Sequence, residues 1–230
     1  MLDDKNQTTG HLALRVIGEA TLAYARNPVA RALVTVIPFG LGSFIDAFLG
    51  TAGSNLMLGR LQILGDEVSA ALDRLPVEKQ DPAVTEEQLH DAAIRAMRGA
   101  VETGSREKVQ LIAAILVGAT SVDRPATLDV ESVMASMINL TPADLTSARR
   151  LADHPGPGTF PPPSELGPDG LFFVDRLQAA GLLEPVVLPA SPPGSRLGPG
   201  YRSDPAVEYR FTPTFGRILA LLRAGGIDIP

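Results

Sequence analysis

The sequence predicts a mainly α-helical chain: a helical bundle over residues 1–140, followed by a smaller α/β module over residues 141–230 that contains one antiparallel hairpin. Three observations carry this. Apolar residues recur at helical spacing, behind cap residues, from Leu12 to Ala152. Within that region Ala32–Gly59 is almost charge-free, with Asp46 the single charge between Arg31 and Arg60. After His154 the composition changes to Pro- and Gly-rich loops around a short helix, two strand-like runs and a last helix.

A chain of 230 residues that is 45% hydrophobic can bury one large core or two small ones. The lack of cysteine removes disulfides, thiolate metal sites and a cysteine nucleophile together, and suits a cytoplasmic protein. The N-terminal MLDDKNQTTG has neither a cationic nor an apolar signal region, so no signal peptide is expected. Net charge is −6, and from Thr141 onward eight Arg stand against nine Asp plus Glu. Neither half has the basic excess with which proteins neutralise nucleic-acid phosphates.

Residues 12–26 place Leu12, Val16, Ala20 and Ala23 on one helical face, ended by Asn27-Pro28. In the apolar stretch, Pro38, Gly40, Gly42, Gly50 and Gly53 predict two or three short helices rather than a rod. Asp46 splits it into runs too short to span a bilayer, which needs about 20 apolar residues. A buried helical hairpin at 32–59 is the first expectation. The alternative is a surface for self-association or conditional membrane contact, with Phe39, Leu41, Phe44, Ile45, Phe48 and Leu49 as its apolar residues. A peripheral position at the inner face of the membrane would follow.

Asp66–Leu75 reads as a short helix stopped by Pro76. Thr85-Glu86-Glu87-Gln88 has the form of a capping box and opens a helix with Leu89, Ala93, Met97 and Ala100 inward, closed by Gly104. Ser105 caps the next helix, in which the nearly uncharged run Val109–Val122 predicts a central position before Asp123-Arg124-Pro125. A helix over about Asp129–Asn139 buries Val130, Val133, Met134 and Met137 or Ile138. Thr141-Pro142 starts another, with Leu145, Ala148, Leu151 and Ala152 on its face.

In the second module, loops at 154–170 and 189–206 flank a helix over Leu171–Ala180 with Gly181 at its C-cap, and a strand-like run, Leu182–Leu188. Val207–Thr212 alternates like a second strand. Thr212 or Thr214 caps a last helix that buries Phe215, Ile218, Leu219 and Leu222 before Gly225-Gly226. The order helix, helix, strand, tip, strand, helix, with Gly181-Leu182-Leu183-Glu184 and then Tyr209-Arg210-Phe211-Thr212-Pro213-Thr214-Phe215-Gly216-Arg217-Ile218-Leu219, resembles bacterial winged-helix domains. The resemblance implies that the helix before Gly181 is the recognition helix and the strands form the wing. Arg176 and Gln178 on that helix, with Arg196 and Arg202 in the tip, are then the candidate nucleic-acid contacts. A DNA-reading helix usually offers more polar donors, and Asp175 stands against these.

Residues 60–152, with a helix ending in a small apolar run, a gap, a helix and then Leu140-Thr141-Pro142-Ala143-Asp144, loosely resemble bacterial abortive-infection alpha-type proteins. That resemblance implies a phage-defence effector.

Catalytic signatures are lacking. His90-Asp91 with Glu86 one turn earlier reads as a surface pair, because the helical core holds no further His to complete a metal site. No phosphate-binding glycine loop, dinucleotide fingerprint or nucleophile elbow occurs. The expectation is a non-enzymatic interaction or effector protein of bacterial defence type, without metal or cofactor, that binds a protein partner or itself. The alternatives are a winged-helix DNA-binding regulator and a scaffold in which residues 32–59 are plain core.

Overall fold

The computed structural model describes residues 29, 32, 51–126, 129–152, 169–187 and 207–229. The described part is mostly helical with one small antiparallel hairpin. It divides into two compact units: residues 1–138 with 217–229, and residues 139–216. The division falls inside the last helix, so residues 217–229, read from the sequence as part of the second module, group with the first unit.

In unit 1 Val29 and Ala32 are buried, and the first helix described along its length is α1 (Thr51–Arg74). The sequence suggested a break at Gly53 and a separate short helix over Asp66–Leu75. Instead one helix runs through Gly53, Gly59 and Gly65. A helical glycine costs about 1 kcal/mol but, unlike proline, keeps its hydrogen bond, so the buried stripe Met57, Leu64, Val68, Ala71 and Leu72 outweighs it. Pro76 follows the end of this helix.

Helix α2 (Glu86–Glu102) opens on the expected capping box. The Gln88 amide donates to Thr85 Oγ1 at 3.4 Å, and the Thr85 amide donates to Gln88 Oε1 at 3.1 Å. Leu89, Ala93, Met97 and Ala100 are buried. Its C-cap is Thr103 in extended conformation rather than Gly104. Ser105 Oγ then accepts from the Lys108 amide at 3.2 Å and starts α3 (Arg106–Gly118), in which every residue from Leu111 to Gly118 is buried. A helix apolar on all sides is the core of its unit.

Helix α3 stops at Gly118, short of Asp123. The reason lies elsewhere in the chain: residues 79–81 take the backbone groups that follow. Asp81 N donates to Thr120 O at 2.7 Å, Val122 N donates to Lys79 O at 2.8 Å, and Gln80 bridges Ser121. Ion pairs Lys79–Asp123 (3.0 Å) and Arg124–Asp81 (2.9 Å) flank this clamp. Helix α4 (Val130–Ile138) is capped by Asp129, which accepts from the Ser132 amide at 3.1 Å, and buries Val133, Met134 and Met137. Between α1 and α3, buried Glu67 accepts from Arg106 Nε at 2.9 Å and Gln110 Nε2 at 3.2 Å.

Residues 217–229 complete unit 1 through two close backbone approaches. A Cβ on Gly118 would lie 2.1 Å from the Leu221 carbonyl oxygen, and one on Gly225 would lie 2.1 Å from that of Ala114. Glycine is required at both points by space alone. The helix ends on Gly226 (φ +83°), with Ile227 N donating to Leu222 O and Gly226 N to Arg223 O. These are the two bonds of a Schellman cap.

Unit 2 contains α5 (Pro142–Ala152), α6 (Gly170–Ala179), β1 (Leu183–Val187), β2 (Val207–Phe211) and the first residues of α7 (Pro213–Ala224). The strands are antiparallel, with Leu183 opposite Phe211 and Val187 opposite Val207. Gly181 (φ +69°) ends α6 in another Schellman cap, formed by Leu182 N to Leu177 O and Gly181 N to Gln178 O, both 2.8 Å. Thr212, just before α7, donates its hydroxyl to Gly181 O at 2.6 Å, and the rings of Phe211 and Phe215 stack at 4.5 Å.

Candidate interaction surface

Among the described residues, α6 carries two adjacent exposed large apolar side chains, Leu171 and Phe172. Its inner face is Val174 and Leu177, both fully buried, with Ala180 following. At about 100° per residue, Phe172 projects roughly opposite Val174. Leu171 and Phe172 are 64% and 66% exposed, and Asp175, Arg176 and Ala179 are exposed beside them.

Arg176 is held in place. Its Nη2 donates to Asp144 Oδ1 at 2.7 Å, and its Nε lies 3.2 Å from both carboxylate oxygens. Asp144 on α5 is only 2% exposed, and its Oδ2 also accepts from the Thr141 amide (2.9 Å) and hydroxyl (2.8 Å). In return Thr141 Oγ1 accepts from the Asp144 amide at 3.1 Å, a capping box built with aspartate. Burial pushes the Asp144 carboxyl up. The hydrogen bond from Arg176 and those from Thr141 outweigh it, so Asp144 titrates below its ordinary range. The same bond holds the Arg176 proton more firmly.

This changes what Arg176 can do. The fork commits Nε and one Nη2 proton of Arg176 to a buried carboxylate that compensates its charge, so a base edge or phosphate would meet a guanidinium whose orientation is already fixed by Asp144. Gln178, the other candidate on this helix, is half-buried. Arg196 and Arg202 lie outside the described residues, as do Phe39, Leu41, Phe44, Ile45, Phe48 and Leu49. On the hairpin, Arg210 pairs with Glu184 directly across the strands. The described arginines of unit 2 (Arg149, Arg150, Arg176 and Arg210) do not outnumber its described carboxylates Asp144, Asp169, Asp175 and Glu184.

In unit 1, Glu86, Glu87, His90 and Asp91 line an open depression along α2. Among the described residues no group of three or more His, Cys, Asp or Glu side chains is placed to hold a metal ion, and no helix is long and apolar enough to cross a membrane.

Sequence reasoning missed two of these features. Asp144, three residues after a Thr-Pro helix start, carried a readable capping signal; its pairing with Arg176, far along the chain, did not. The exposure of Leu171 and Phe172 was readable only as an arc, since Val174 and Leu177 already fill the inner stripe. No protein-family model matches the chain, and no curated protein or solved structure matches it.

Proposed function

We propose that this chain is a non-enzymatic interaction protein whose second unit, winged-helix-like in its order of elements, meets a protein partner through α6. One observation carries the reading. Where a DNA-reading helix would present free donors, α6 presents Leu171 and Phe172, while Arg176 is bound to Asp144. Contiguous exposed apolar surface is what protein-interaction sites are built on, and Leu171 and Phe172 are neighbours on one helix. The arrangement of residues 60–152 supports an effector setting of the bacterial phage-defence kind. Self-association or conditional membrane contact through residues 32–59 belongs to the same proposal, in a cytoplasmic chain.

The test is a comparison of ligands on the full chain. Fluorescence anisotropy with labelled duplex DNA should show no binding with the steep salt slope of phosphate neutralisation. Duplex binding that falls with salt and is lost in Arg176→Gln overturns the proposal in favour of a DNA-binding regulator. Liposome flotation of the full chain and of Leu41→Arg tests the membrane clause. Flotation abolished by the substitution supports it; a protein that ignores liposomes removes it.

A further inference from the structure

The α6 surface also carries information on the chemistry of its partner. Asp175 lies one turn after Leu171 on the same ridge, and Asp169 immediately precedes the helix. Among the described residues Asp175 has no ion-pair partner, and the single cation within α6 itself, Arg176, is paired with Asp144. Two adjacent apolar side chains therefore sit between carboxylates, with no net positive charge to meet a phosphate. Charge complementarity selects an occupant that is apolar in the middle and cationic at its edges.

We infer that α6 docks a cationic amphipathic helix of a partner protein, with Leu171 and Phe172 seating its apolar face and Asp175 and Asp169 meeting its lysines or arginines. This rests on the interaction reading above. It is the helix-on-apolar-face mode of peptide recognition, in which a few anchors supply affinity and flanking charges supply orientation. An acidic flank disfavours nucleic acid and anionic lipid alike.

The experiment uses the full chain and two labelled helical peptides, one of leucine and lysine and one of leucine and glutamate, followed by anisotropy at low and high salt. The leucine–lysine peptide should bind and its acidic counterpart should not. Phe172→Ser should weaken binding by about tenfold or more, the loss of one aromatic anchor. Asp175→Asn should weaken it by roughly threefold and flatten the salt dependence. A control variant, Glu87→Gln with Asp91→Asn, neutralises the acidic depression of unit 1 and should leave binding unchanged.

Binding that survives Phe172→Ser, binding lost in the control variant, or no binding of the basic peptide each overturns the inference. Should Phe172→Ser fail to fold by circular dichroism, Asp175→Lys at an exposed position serves instead: it should transfer preference to the acidic peptide, and an unchanged preference overturns the proposal. Duplex DNA bound in an Arg176-dependent way overturns the interaction reading itself. Failure of the peptide with no duplex binding overturns only the partner assigned here.

Discussion

Placing alanine at Gly118 would press a methyl group onto backbone. Its Cβ would stand 2.1 Å from the Leu221 carbonyl oxygen, 2.9 Å from the carbonyl carbon and 3.1 Å from the Cα. Ordinary close C···O contacts lie near 3.3 Å, so the two segments must separate locally by about 1 Å. A methyl group has no rotamer to relieve the overlap, and every residue from Leu111 to Gly118 is buried. Overpacking of this kind costs about 3 kcal/mol, while helix propensity returns at most about 1 kcal/mol. The expected net loss is about 2 kcal/mol, or a fall in Tm of roughly 4–8 °C for a chain of this size.

Gly65→Ala is the internal control. It makes the same chemical change inside α1, where an added Cβ meets nothing within 4 Å, and should stabilise by about 0.5–1 kcal/mol. Urea unfolding followed by far-UV circular dichroism measures both, since the chain has no Trp. Gly118→Ala should lower the midpoint at unchanged m, and Gly65→Ala should raise it. If Gly118→Ala is as stable as the parent or gains like Gly65→Ala, the close approach of α3 to residues 217–229 is refuted. Gly225→Ala pushes the same segments apart, so the double variant should lose less than the two single losses together.

Further outcomes follow from the caps and ion pairs. Asp144→Ala removes a cap and leaves Arg176, 47% exposed, without its partner; the expected loss is about 2 kcal/mol, read by hydrogen exchange in α5 and α6. Because the folded Asp144 carboxyl titrates below its unfolded value of 3.8, its stabilisation is fully present above about pH 4 and is lost as pH falls through the folded value. Asp129 titrates low for a related reason, the hydrogen bonds from Ser132, and adds to the same acid loss. Acid titrations of Asp144→Asn and Asp129→Asn should each show a shallower fall in stability below about pH 4 than the parent. Thr85→Ala should cost about 1 kcal/mol by denaturant midpoint and expose the first amides of α2 to exchange.

Local chemistry was legible in the sequence. Thr85 with Gln88, Ser105, Thr141-Pro142, Gly181 and Gly225-Gly226 all announce helix ends through interactions within a few residues, and the structure places helix ends at each. The strands likewise fall within the two strand-like runs, Leu182–Leu188 and the alternating Val207–Thr212. Legibility failed where the deciding partner is distant. Glycines in α1 looked like breaks because the buried stripe that overrides them is tertiary. Helix α3 ends at Gly118 because residues 79–81 claim the backbone beyond it. Arg176 looked like a free contact because nothing near it in sequence shows that Asp144 is its partner.

The split of unit 1 matters for how the protein is made. Residues 1–138 emerge first, but the segment that closes against Ala114 and Gly118 begins only at residue 217. At ribosomal rates of about 5–20 residues per second, the gap between them is on the order of 4–16 s. For that time the backbone-tight face of α3, apolar and shaped for one particular turn of glycine and leucine, waits without its covering segment. Transiently exposed apolar surface of this kind is the general hazard that chaperones exist to cover. Truncations that end before residue 217 leave that face uncovered permanently.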